Sequence, residues 1–160
     1  MPVTAAPRFS TALLASAFVL GTAVLAQDPG GLVTGSFGDQ PLELPVSADL
    51  SAATMIGDYA DASLAAALTE GDQGPLFLTM TLSGELPDPG EVMLELAFAR
   101  DMGRNWQGDQ NSLTLELGGF APSDGMVHLF GTITGEVTGG PASETRAVTF
   151  SFDAYLEQVE

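Results

Sequence analysis

The stretch LFLTMTL, Leu76 to Leu82, sets Leu76, Leu78, Met80 and Leu82 on one face of an extended chain and Thr79 and Thr81, followed by Ser83, on the other. A side-chain period of two is the geometry of a β-strand with one buried and one wet face. The same alternation recurs downstream. Val92, Leu94, Leu96 and Phe98 oppose Glu91 and Glu95, and Leu113, Leu115 and Leu117 oppose Thr114 and Glu116. Val127, Leu129, Ile133 and Val137 then oppose His128, Thr132, Thr134 and Glu136, and the last run carries Val148, Phe150, Phe152, Ala154 and Leu156. Repeated one-sided strands predict antiparallel pairing.

The segments between these runs are rich in residues that preset or tolerate turn dihedrals: LPDPGE (Leu86 to Glu91), GGFAPSDG (Gly118 to Gly125) and TGGPASE (Thr138 to Glu144). Nearer the start, LVTGSF and PLELPV flank Gly38, Asp39 and Gln40, which reads as a three-residue hairpin connection. The expected fold is therefore all-β, an antiparallel β-sandwich, with a small closed β-barrel as the alternative. The Ala-rich segment from Ala48 to Leu68 divides two ways. Leu50, Ala53, Ile56, Ala60, Leu64 and Leu68 form one helical stripe, which would pack a single helix on the sandwich. A break at Gly57 to Asp61 instead separates two strands, Ala52 to Ile56 and Ala62 to Leu68, and the hairpin is preferred because every other element is a strand.

Ahead of this domain lies an apolar run, Thr11 to Ala26, preceded by Arg8 and closed by Val24 and Ala26 at the small-residue positions of a signal-peptidase site. Its 16 residues include three Thr/Ser and a Gly, whereas a membrane-spanning helix needs about 20 apolar residues. The expected organisation is a signal peptide over residues 1–26, a flexible linker over 27–31 (QDPGG) and one β-rich domain over 32–160. Localisation follows as periplasmic or extracellular, with no membrane anchor after cleavage.

All 21 acidic residues follow Ala26, against Arg100, Arg104 and Arg146 and no lysine, so the exported part carries a formal charge of minus 18. That field repels phosphate backbones and anionic lipid, which excludes nucleic acid as a partner. The chain has no cysteine. Thiol catalysis, redox exchange and Cys-based zinc sites are excluded with it, and the fold must hold by packing alone.

Catalytic constellations are scarce. The single histidine, His128, falls on the polar phase of a strand beside Thr132, and is expected to be half-exposed with a local hydrogen bond. Ser36 and Ser83 sit in turn-like contexts without the G-x-S-x-G elbow. Acidic pairs are too abundant to single out a glycosidase dyad. The segment RDMGRNWQGDQN, Arg100 to Asn111, departs from a calcium loop, since Gly103 offers no side-chain ligand and two arginines oppose a cation. It does concentrate the chain's only tryptophan with two arginines, the residue types enriched at binding hot spots. Arg100, Arg104, Asn105, Trp106 and Asp109 are the expected contact residues, with Trp106 exposed at a loop tip. The competing reading folds Trp106 back onto the sandwich edge and pairs the arginines with Asp101 and Asp109.

The expected function is a non-enzymatic binding or envelope-accessory module, with no cofactor and no metal site. Its partner would be a protein or a small ligand, divalent cations being held weakly. A small-ligand-binding β-barrel and an acid-dependent hydrolase are the alternatives. An outer-membrane barrel is set aside because no aromatic girdle recurs at strand ends.

Overall fold

The computed structural model describes residues 29–69, 74–101 and 104–159. The expected signal peptide lies outside these residues. Ten strands and two 3₁₀ turns make up the described chain, so the all-β expectation holds. The longest antiparallel pair joins β9 (Met126–Gly139) to β10 (Glu144–Gln158), in continuous register from Glu144 opposite Gly139 to Glu157 opposite Met126. β1 (Gly30–Phe37) and β2 (Gln40–Pro45) extend the layer beyond β10, and β8 (Leu113–Ser123) extends it beyond β9.

The second layer is the meander β3 (Ala52–Ile56), β4 (Tyr59–Leu68), β5 (Leu76–Glu85), β6 (Glu91–Phe98) and β7 (Trp106–Asp109). It joins the first at two corners. At one, Ala52 and Ala53 run parallel to Glu157 and Gln158 and Val46, just past β2, bridges Ala66 of β4; at the other, Gln107 pairs with Thr138. Hydrogen bonding is therefore continuous through one ten-stranded sheet. Closure is thin at both corners, so the sheet is folded into two facing layers rather than rolled into a clean barrel.

Between the layers the apolar phases meet in one core, where Leu44, Leu94, Leu96, Val127, Leu129, Val137, Ala154 and Leu156 have no accessible surface. Burying each such leucine contributes about 1.5–3 kcal/mol, which is how a cysteine-free domain holds. The central void, lined by Val33, Leu64, Leu78, Met80, Leu94, Ile133, Phe150 and Phe152 from both layers, has no room for a water molecule. The interior there is packed solid.

Three local expectations need correction and a fourth holds. The β1–β2 connection is a two-residue turn, Gly38 and Asp39, because Gln40 already pairs with Phe37. β1 begins at Gly30, inside the segment read as a linker, since Gly30 and Gly31 pair with Tyr155 and Ala154. The segment from Gly118 onward is strand rather than loop: β8 crosses it with a register shift between Leu117 and Gly119 and turns only at Asp124 and Gly125. Those two residues take φ of 53° and 80°, the doubly positive pair whose twist matches a hairpin. Across Ala48 to Leu68 the hairpin forms, turning at Gly57 and Asp58, with only a 3₁₀ turn over Ala48–Leu50 before it.

Candidate functional site

At the end of the β9–β10 hairpin, where the chain turns through Gly140 to Ser143, the β1–β2 turn and the segment after β6 come together around a cleft of about 600 Å³. Its walls are Phe37, Asp39, Gln40, Arg100, Asp101, Trp106, the turn from Gly139 to Ala142, Glu144 and Arg146. Trp106 is the back wall. The residue is only 5% exposed and begins β7, so the loop-tip expectation fails, and the competing reading holds for Trp106, which folds back onto the core, and for Arg100, which lies beside Asp101. Its indole Nε1 donates to Asp101 Oδ2 at 2.8 Å, and its ring meets Phe37 edge-on at 4.9 Å. Burial is stable because both halves of the side chain are satisfied, the ring by the core and the N–H by a carboxylate.

Gly139 makes this approach possible. A Cβ there would stand 2.1 Å from the Asn105 carbonyl and 2.6 Å from the Trp106 Cα, so only glycine lets β9 lie against the start of β7. The sequence WQGD hides its strand character because Gly108, at the second inward position, is not apolar by type.

Arg100 belongs to a 3₁₀ turn over Ala99–Asp101, with its guanidinium 4.8 Å from the Phe98 ring centre and Nε 3.7 Å from Asp101 Oδ1. Arg146 enters from β10, its Nη2 donating to Glu144 at 2.7 Å and its guanidinium 5.8 Å from the Trp106 ring centre. Arg104 reaches the rim, donating through Nη1 to the Pro141 carbonyl. Every arginine among the described residues is thus at this cleft or on its rim.

Of the expected contact residues, Arg100 and Trp106 line the cleft and Arg104 borders it. Asn105 instead donates to Glu95 on β6. Asp109 is spent on its own turn, accepting from the Asn111 backbone N–H at 2.9 Å. Asp39, Gln40, Glu144 and Arg146 join the site without being expected from the sequence, whereas Asp101 takes the place beside Arg100 that the competing reading gives it. Arg146 carries a signal in the composition, being the only arginine after Ala26 outside the Arg100 to Asn111 segment in a chain without lysine.

His128 fits its expected description. It is half-buried, Nε2 lies 2.8 Å from Asp153 Oδ1, and its ring stacks on Tyr155 at 4.3 Å. Among the described residues no group of three His, Cys, Asp or Glu is arranged to hold a metal ion. No protein-family model matches this chain, and no curated protein or solved structure shows significant similarity to it.

Proposed function

We propose that this chain is an exported, non-enzymatic binding module whose recognition surface is the arginine cleft between the β1–β2 and β9–β10 turns. One observation carries the reading. In a chain with 21 acids and no lysine, two of the three arginines after Ala26 line a single concave site and the third, Arg104, lies on its rim. Guanidinium groups offer forked donors that match carboxylates and stack on aromatic rings, and Trp106 and Phe98 supply those rings.

The lining also includes Asp39, Asp101 and Glu144, so the cleft presents both signs. The ligand it suits is small and zwitterionic, such as an amino acid or a peptide end. Larger polyanions meet the repulsion of the whole molecule before they reach Arg100 or Arg146. Asp101 and Glu144 are each engaged by an arginine, which favours holding a ligand over transferring its protons.

Trp106 is the only tryptophan, so its emission reports the cleft directly. Titration with a panel of amino acids and dipeptides should produce saturable changes in that emission, and Arg146→Ala should weaken the response at least tenfold. Absence of any saturable change across the panel, with no heat of binding by calorimetry, would overturn the reading.

A further inference from the structure

The outward face of the first layer carries a second feature. Register places Thr34 of β1 beside Ser151 of β10, and Ser151 beside Thr132 of β9, forming a row of three hydroxyls across the sheet. Two residues along, the next row is Leu32, Asp153 and Phe130. A groove of about 400 Å³ is lined by both rows. Next to it, His128 stacks on Tyr155 and lies 4.8 Å from Phe130 between ring centres, while its Nε2 sits 2.8 Å from Asp153 Oδ1. Phe130 is itself held in place, because its ring lies over Gly118 and Gly119, where an added Cβ would stand 2.6 and 2.4 Å from it.

We infer that this groove binds a neutral oligosaccharide chain. A pyranose ring presents C–H bonds on its faces and hydroxyls around its rim. The C–H face is attracted to the negative face of an aromatic ring, which Phe130 supplies with Leu32 beside it. The rim needs partners that both donate and accept, and Thr34, Ser151 and Thr132 do both. Asp153 adds an acceptor whose orientation is set by His128.

Charge selects among glycans. No lysine or arginine lines the groove, Asp153 does, and the chain's formal charge is minus 17. Uronate and sulfated polymers are therefore repelled. Three strands spaced about 4.8 Å apart make a row about 10 Å long, enough for consecutive sugar rings rather than one. The volume falls in the range of about 300–1,000 Å³ common to ligand sites. This groove is not the arginine cleft: Asp153 and Arg146 lie on one strand, seven positions or about 24 Å apart at about 3.4 Å per residue.

Affinity electrophoresis of the purified protein in gels containing xylan, hydroxyethylcellulose, laminarin, glucomannan or soluble starch tests this, with polygalacturonate as the charged comparison. At least one neutral polymer should retard migration and polygalacturonate should not. Phe130→Ala should weaken retardation at least tenfold. Because that change also uncovers Gly118 and Gly119, Ser151→Tyr at an exposed position serves as the second variant, filling the groove while leaving the core intact. Arg146→Ala should bind the polymer as the wild type does, separating this site from the cleft. Retardation by none of the neutral polymers, equal retardation by polygalacturonate, or full binding by Ser151→Tyr would each overturn the inference.

Discussion

Trp106 and Asp101 show how one polar contact settles where a large side chain goes. The indole is buried at the end of the core and its N–H is answered at 2.8 Å by the carboxylate of Asp101, itself a buried residue. Replacing Asp101 by Ala removes the carboxylate that answers the buried indole N–H, which costs about 1–3 kcal/mol. Urea denaturation followed by Trp106 emission should show a lower midpoint by a corresponding amount; an unchanged midpoint would mean that the indole N–H finds another partner. At this scale the sequence misleads for a definite reason. Trp106 is embedded among Arg104, Asn105, Gln107 and Asp109, so its surroundings along the chain are polar although its surroundings in space are Phe37 and the core.

Elements were more legible than single contacts. The alternation in β5, β6, β9 and β10 appears in the structure on the expected faces, because pleating puts successive side chains on opposite sides whatever the neighbours are. Leu129 on β9 has no accessible surface, whereas Thr134 on the same strand is exposed. Leu129→Ala should therefore destabilise by about 2–5 kcal/mol, while Thr134→Ala should stay within about 0.5 kcal/mol. Chemical denaturation of the two variants separates them, and equal effects would contradict the assigned faces. Legibility ended where glycines carry the strand. In β8 the segment from Gly118 to Ser123 looked like loop, yet it is paired with β9, its missing side-chain volume at Gly118 and Gly119 being filled by the Phe130 ring.

For the whole molecule the dominant property is uncompensated negative charge. Among the described residues the ion pairs are Arg100 with Asp101, Arg146 with Glu144, and His128 with Asp153 when the ring is protonated. Most acids are left to repel one another, which opposes compaction. Raising NaCl from about 10 mM to about 150 mM shortens the screening length from about 30 Å to about 8 Å, so the thermal midpoint should rise by several degrees. A midpoint that is flat or falling with salt would show that the acids are spaced too widely to matter. The strand class, the inward and outward face of most strands, the negative field and the absence of thiol chemistry can be read from the residues in chain order. These depend on local backbone geometry and on composition, both of which are present in any short window of chain. That the sheet folds over at two corners, that Arg146 joins Arg100 across 45 intervening residues, and that Trp106 is wall rather than tip emerges with the folded chain alone. Each of those depends on strands distant in sequence becoming neighbours, and packing one layer against the other is what makes them so.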